Sequence, residues 1–357
     1  MKKLIALILS LTLVLAFLPS CGAINKNEVA VLWSDYNDEY LFTIADAFDR
    51  AAYIENIKYS HYDAEKDGSK QLQQAKDALT ANADALVVSA TDAITATAIL
   101  KEAKDAGKPI VFLCNDALVE VAIDTALALS AYDKCVVVNV ESTSLVTVLA
   151  KKIAKDLVDN YADYDRDGNG KISCVNFGLS ALIASAVNTE LKEAGKEELS
   201  VSLENTARPT TDIASTIDAI FGEWTGAKGN EKIATPVELI LTDDDAYVAE
   251  LLLALRKYEL NHNKLVTHFI PLYTVGIEAN AGILLSENAK EEEKAAHSIM
   301  NEIDSGHLSA AALVNDDEIA LSAGAILRNF IKGNEIFKGV NAEYVDGYKV
   351  LVPYTIY

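Results

Sequence analysis

The segment from Asp163 to Ser173 has the residue types and the spacing of a calcium-binding loop. It reads DYDRDGNGKIS. Such loops bind Ca²⁺ through oxygen atoms at positions 1, 3, 5, 7 and 9, with glycine at position 6 to turn the chain. A frame that starts at Asp163 puts Gly168 at position 6 but leaves Gly170 at the apolar position 8. A frame that starts at Asp165 fits every one of these positions.

In the second frame the ligands come from alternate residues, and one of them is a main-chain carbonyl. They are Asp165, Asp167, Asn169, the carbonyl of Lys171 and Ser173. Position 12, which normally supplies a bidentate carboxylate, is Asn176, and Ile172 already opens a strand. The loop therefore needs a glutamate from elsewhere in the chain to complete a calcium site. The alternative is a surface turn rich in Asp and Gly that binds no metal.

Polar residues also follow several apolar runs, at the places where a parallel sheet binds ligands. Such sheets bind ligands at the carboxyl ends of their strands. Acidic and amide side chains occupy these positions in the segments 35–40, 115–116, 243–245 and 315–317. Because Asp and Asn are also common helix N-caps, each segment has a purely structural explanation. Their recurrence in both halves of the chain favours one shared ligand-binding cleft.

The histidines and cysteines show no spacing that supports catalysis. The histidines are scattered, and the sequence has no nucleophile motif and no phosphate-binding loop; they are His61, His262, His268, His297 and His307. Three cysteines besides Cys21 end or interrupt apolar runs, namely Cys114, Cys135 and Cys174. An odd number without close spacing predicts buried free thiols rather than disulfides. The sequence therefore predicts a binding protein and not an enzyme.

The elements that must position these residues are apolar runs of strand character, separated by segments with the 3.6-residue period of helices. The runs are 29–33, 56–62, 83–88, 109–113, 135–140, 171–177, 199–203, 237–242, 264–273, 311–314 and 349–354. Runs that are apolar throughout indicate parallel strands covered by helices on both faces, which is a doubly wound α/β fold. This number of strands exceeds one ordinary sheet of that fold. The sequence therefore predicts two doubly wound parallel-sheet lobes joined by a hinge.

The N-terminal residues have the pattern of a lipoprotein signal peptide. A basic start precedes an apolar run over residues 4–18, which is too short to span a membrane. Ser20, a small residue, then stands directly before Cys21, the residue that is acylated in lipoproteins. The alternative is an ordinary signal peptide that ends near a cysteine by chance. We expect residues 1–20 to be removed, residues 21–27 to form a tether, and a lipid on Cys21 to anchor the mature protein outside the cytoplasm.

The charge balance excludes one class of partner. The chain has 53 acidic and 31 basic residues, which gives a formal net charge of −22. Binding to a nucleic-acid backbone needs clustered Lys and Arg, so we expect no nucleic-acid partner. We also expect the protein to be a monomer.

The residues after the signal peptide resemble the galactose/glucose-binding proteins of bacterial sugar importers, which have the type I periplasmic-binding-protein fold. The resemblance covers nearly the whole mature chain and includes the segment QLQQAKDALTANADALVVSATDAITATAILKEAKDAGKPIVFLCND. That family has a nine-residue calcium loop, completed by a glutamate at the start of a later strand. Here that glutamate corresponds to Glu238. The resemblance thus implies a structural Ca²⁺ held by the loop and Glu238.

The resemblance also implies a sugar site between the lobes. The matching polar and aromatic positions are Asp38, Tyr40, Asn115, Asp244, Glu278 and Asn315. The family's charged His, Asp and Arg have no counterpart in FGLSALIAS (177–185), and its stacking tryptophan is absent from ENTARPTTD (204–212). Each lost hydrogen bond to a charged group is worth about 1.5–3 kcal/mol. We therefore expect a galactose- or glucose-like sugar or a diverged small polar ligand.

The resemblance finally implies discontinuous lobes and a membrane partner. The first lobe would comprise residues 28–140 and 316–346, and the second residues 141–315 and 347–357 with the calcium loop. An ABC permease would receive the ligand from the anchored protein. The alternative is a surface receptor that signals to a sensor protein, since both roles use the same ligand-bound state.

Overall fold

The computed structural model describes residues 28–114, 117–130, 132–178, 182–197, 199–208, 213–222, 236–242, 247–261, 269–276 and 299–357. No helix within these ranges is long and apolar enough to span a membrane.

The described residues form two sheets. The first has seven strands, which run parallel to their neighbours except for one antiparallel edge pair. In spatial order they are β11 (Glu343–Val345), β12 (Lys349–Val352), β5 (Cys135–Val140), β4 (Ile110–Cys114), β3 (Ala85–Val88), β1 (Glu28–Trp33) and β2 (Lys58–Asp63). The central strands are buried on both faces, as their unbroken apolar sequences predict.

The second sheet, as far as the described residues show it, has six strands, of which only one edge strand is antiparallel. In spatial order they are β13 (Thr355–Ile356), β10 (Ala310–Leu313), β9 (Leu272–Gly276), β8 (Leu239–Thr242), β6 (Lys171–Phe177) and β7 (Ser200–Arg208). The predicted run 264–273 overlaps β9 only at its end, because the strand begins after Pro271.

Helices cover both faces of each sheet. In the first lobe these are α1 (Glu39–Glu55) and α10 (Asp316–Lys332) on one face, and α2 (Gly68–Thr80), α3 (Ala93–Asp105) and α4 (Ala117–Ser130) on the other. In the second lobe they are α5 (Ser142–Tyr164) and α6 (Leu182–Glu193) on one face, and α7 (Ile213–Phe221), α8 (Val248–Arg256) and α9 (Ile299–Ser305) on the other. The prediction of two doubly wound parallel-sheet lobes is confirmed.

The chain passes between the sheets after β5, after β10 and after β12. The first and third crossings lie side by side: the N–H of Glu141 donates to the carbonyl of Val352 at 2.8 Å. The N–H of Tyr354 also donates to the hydroxyl of Ser144 at 3.1 Å. These bonds join two of the segments that connect the sheets.

The predicted boundary at residue 347 is wrong for the strand that follows it. β12 pairs with β5 in the first sheet, where Val350 is fully buried, so residues 349–352 belong to the first lobe. Lys349 holds this strand against α4 through ion pairs with Glu120 at 2.6 Å and Asp124 at 2.9 Å. Of the predicted C-terminal segment, only β13 joins the second sheet.

Candidate calcium loop and ligand cleft

The predicted calcium loop connects α5 to β6, and its carboxylates converge on one point. Oxygen atoms of Asp165, Asp167 and Glu238 all lie within 4.8 Å of one another. Glu238 directly precedes β8, which pairs in parallel with β6. Its N–H therefore donates to the carbonyl of Ser173 at 2.9 Å, which fixes the glutamate beside the loop.

The loop is folded around its own side chains. The two carboxylate oxygens of Asp165 accept the N–H groups of Asn169 and Gly170, each at 3.1 Å. The amide oxygen of Asn169 accepts the N–H of Lys171 at 2.7 Å. Gly168 and Gly170 have φ values of 71° and 80°, a region in which side chains with a Cβ are strained. The glycines of the predicted frame thus permit the turn that the loop requires.

Glu238 completes the cluster from within the protein. It is 2% exposed, and its carboxylate accepts the N–H of Arg166 at 2.6 Å and that of Ser173 at 3.1 Å. Burial raises the pKa of the Glu238 carboxyl above its ordinary value. A buried carboxylate beside two other acidic groups is costly unless a cation compensates it. Oxygen-only ligands are those that Ca²⁺ prefers, so the residues present fit this ion.

Two residues that support the loop, one inside it and one before it, were not predicted from the sequence. Arg166 is half-buried, and its guanidinium donates to the carbonyl of Phe269, in the segment that leads into β9. Tyr161 lies one turn before the loop, where burial and the charges of Asp165 and Glu238 raise the pKa of its phenol to about 12. Neither residue occupies a ligand position, so the loop pattern contains no signal for them.

Two predicted ligand-binding residues cap helices at the carboxyl ends of strands. Asp38 follows β1 and is the N-cap of α1, accepting the N–H of Leu41 at 3.0 Å. Asn315 follows β10 and is the N-cap of α10, accepting the N–H of Glu318 at 3.0 Å. Helix capping therefore accounts for both residues. The strands that they follow, β1 and β10, belong to different sheets. Capping engages only part of the hydrogen-bonding capacity of each side chain.

Of the other residues predicted to bind a ligand or carry a lipid, one lies within the described part of the chain and four lie outside it. Tyr40 is half-buried and packs against the core of the first lobe. Cys21, Asn115, Asp244 and Glu278 lie outside the described residues.

The first lobe has a further polar residue at the carboxyl ends of its strands. Asp35, which follows β1, is almost buried and forms an ion pair with Lys66 at 3.0 Å. The N–H of Asn37 and the ammonium of Lys66 lower the pKa of Asp35. Lys66 also lines a cavity of about 500 Å³ with the N-termini of α2 and α3. Nothing in the sequence pairs Asp35 with Lys66, because the contact joins the ends of two strands.

The sequence matches the periplasmic binding protein domain over residues 29–335. No curated protein sequence matches it. One similar solved structure is a solute-binding protein of an ABC transporter from Bacillus halodurans with bound myo-inositol (17% identity, TM-score 0.50, 94% of this chain and 96% of that chain). Another is a periplasmic solute-binding protein from Actinobacillus succinogenes with bound D-allose (14%, 0.55, 93% and 97%).

A third is the binding protein of the arabinose transporter from Shewanella sp. ANA-3 (12% identity, TM-score 0.52, 92% of this chain and 91% of that chain). At these identities the structures establish the fold alone. The prediction of a type I periplasmic-binding-protein fold is confirmed. The matched domain is that of binding proteins, which agrees with the prediction of a binding protein rather than an enzyme. Since the domain match covers most of its length, the chain belongs to the periplasmic binding protein domain family.

Proposed function

We propose that the protein is the solute-binding component of a bacterial ABC importer and that it binds a sugar or related polyol between its lobes. The observation that carries this proposal is the arrangement of Asp38 and Asn315. They follow parallel strands of two different sheets, at the ends where such sheets bind ligands. The sugar and cyclitol ligands of the similar structures support the same class of ligand.

The ligand would be held by hydrogen bonds to its hydroxyl groups. Carboxylate and amide groups would come from both lobes, and Tyr40 would offer an aromatic face; the polar groups are those of Asp38, Asn115, Asp244, Glu278 and Asn315. Since 177–185 carries no charged side chain, we expect glucose and galactose to bind weakly. A related sugar or polyol with fewer hydroxyls to satisfy is the expected ligand.

We propose that the loop holds one structural Ca²⁺. Its ligands would be Asp165, Asp167, Asn169, the Lys171 carbonyl, Ser173 and Glu238. The ion would supply positive charge to a cluster of acidic groups and tie the end of α5 to the starts of β6 and β8. These elements lie at the amino ends of the strands, away from the proposed cleft, so the ion would stabilise the lobe rather than contact the ligand.

We further propose that Cys21 carries a lipid that anchors the protein outside the cytoplasm, where it hands its ligand to a permease. The test of ligand class is a thermal-shift screen of the mature protein against sugars, polyols and amino acids, with and without calcium, followed by calorimetry on each compound that stabilises it. We expect stabilisation by a sugar or polyol. Stabilisation by amino acids alone would overturn the proposed ligand class.

A further inference from the structure

A cavity of about 380 Å³ lies at the base of the second lobe, away from the proposed cleft. Its described walls are the second half of α5, the segment before β9, and the segment from α9 to β10. Phe269 and Ser309, which line it, precede the strands β9 and β10. Ligands of this fold bind at the opposite ends of these strands, so the cavity is separate from the cleft.

The wall formed by α5 contains an ion pair that is held in place from two sides. Lys152 contacts both carboxylate oxygens of Asp156, at 2.7 and 2.5 Å. The buried phenol of Tyr273 donates to the same carboxylate at 2.7 Å. These contacts restrain the orientation of the Asp156 carboxylate. The ion pair thus offers a donor and an acceptor to the cavity without net charge. Asp163 also lines the cavity, and the half-buried guanidinium of Arg166 interacts electrostatically with Glu238 and with this carboxylate.

A further polar side chain, that of Asn160, lines the same space. Asn160 interrupts α5 with non-helical backbone angles (φ −135°, ψ 22°), and its side-chain amide donates to the carbonyl of Asp156 at 3.2 Å. The hydroxyl oxygen of Ser309 is buried beside the phenol of Tyr273, so this residue lines the cavity with its other atoms. The polar side chains that a ligand in the cavity can meet therefore come from α5.

We propose that this cavity binds a neutral polyhydroxylated molecule of at most one sugar ring, at a second site distinct from the cleft. Side chains with donors and side chains with acceptors both line it, and a hydroxyl group can pair with either. Phe269 and Ile303 supply an apolar wall for the C–H face of such a ring. Because Lys152 and Asp156 neutralise each other, neither an ammonium nor a carboxylate ligand would find an uncompensated partner in this ion pair. The volume lies in the lower range of small-ligand pockets, roughly 300–1,000 Å³.

The test is a titration of the mature protein with myo-inositol, followed by the amide resonances of Gly306 and Ser309 in ¹⁵N–¹H spectra. Both residues line the cavity. We expect saturable shifts of these amides with a dissociation constant of about 1 mM or tighter. Ile303→Trp, which places a larger side chain in the cavity, should abolish them. Lys152→Met, which removes a donor but keeps its aliphatic stem, should weaken binding about tenfold.

The matched control is Asp38→Asn, which changes the proposed cleft and should leave the shifts at Gly306 and Ser309 intact. Loss of these shifts in Asp38→Asn would overturn a separate site, as would saturable shifts that persist in both cavity variants. Glucosamine or glucuronate that shifts these amides more strongly than myo-inositol would overturn the assignment of a neutral ligand. An absence of saturable shifts in the wild-type protein would overturn the proposal while leaving the function of the cleft unaffected.

Discussion

The carboxylate of Glu238 accepts the backbone N–H of Arg166 at 2.6 Å, although 72 residues separate them in the chain. The contact forms because β8 pairs in parallel with β6, so the residue before β8 lies beside the loop before β6. The other carboxylate oxygen accepts the N–H of Ser173. Glu238 therefore joins both ends of the loop, and replacing it is the most direct test of calcium binding.

Calcium should stabilise the wild-type protein, and Glu238→Gln should remove most of that effect. Binding to the folded state alone adds about 2.7 kcal/mol at a calcium concentration 100 times the dissociation constant. The glutamine keeps the size of the side chain but removes its charge. Melting temperatures with calcium and with a chelator measure the difference. Asp159→Asn, an exposed carboxylate on α5, is the control and should respond to calcium like the wild type. An equal response of Glu238→Gln would contradict the proposed site.

Asp38→Asn should weaken ligand binding without weakening the fold. Asn caps helices as well as Asp does, so α1 should keep its N-terminal hydrogen bond. A hydrogen bond between a ligand hydroxyl and a charged group contributes about 1.5–3 kcal/mol, and its loss corresponds to roughly a ten- to hundredfold weaker affinity. Calorimetry with the ligand from the screen measures this loss. Asp67→Asn, the cap of α2 beside the edge strand, is the matched control; equal affinities of all three proteins would place the cleft elsewhere.

Cys21→Ala should release the protein from membranes, because the proposed lipid is attached at that thiol alone. Fractionation after a high-salt wash, with immunodetection of the soluble and membrane fractions, is the measurement. Ser20→Ala keeps a small residue before the cysteine and should remain anchored. A Cys21→Ala variant that stays in the membrane fraction would contradict the prediction that the protein is a lipoprotein.

Cys135 and Cys174 should not react with a thiol reagent in the native protein. Both are free and buried, as predicted from the sequence. Burial raises the pKa of each thiol above the ordinary value of 9.0, so the reactive thiolate stays scarce even at pH 9. Mass spectrometry of the modified peptides should show labelling only after denaturation. Ser185→Cys, on the exposed face of α6, is the positive control. Rapid native labelling of Cys174 would contradict its position in the core.

Lys349→Met should destabilise the first lobe by about 2 kcal/mol, because it leaves Glu120 and Asp124 together without a counter-charge. Chemical denaturation measures the loss. Combining Lys349→Met with Glu120→Gln should restore part of it, since one of the two carboxylates is then neutral. Lys101→Met removes an exposed pair on α3 and should cost less than about 0.5 kcal/mol. Equal losses of unfolding free energy in Lys349→Met and Lys101→Met would contradict a larger contribution from the partly buried ion pairs of Lys349.

The sequence predicts most of the fold because buried parallel strands are apolar throughout, and this pattern is local. The C-terminal boundary was wrong because the run 349–354 contains both β12 and the start of a crossing, and its apolar residues do not show which sheet they join. The short strands β11 and β13 were not predicted either, because they are defined by pairing with β12 and β10 rather than by an apolar run of their own.

Local sequence likewise predicts only part of the candidate site. The spacing from Asp165 to Ser173 identifies the loop, since all its ligands are close in the chain. Glu238 could be matched only through a family resemblance, because strand pairing rather than local sequence brings it there. The ion pair between Asp35 and Lys66 had no sequence signal, as it joins residues that follow two different strands.

Residues 349–356 link the completion of the two sheets during synthesis. β12 lies between β5 and β11 in one sheet, and β13, a few residues later, pairs with β10 in the other. A ribosome that has synthesised everything up to residue 348 has therefore completed neither lobe. The two sheets are therefore not completed one after the other from the N-terminus, as those of independent domains are. Both receive a strand from the same short stretch, so a chain truncated at residue 348 would leave two incomplete sheets rather than one finished lobe.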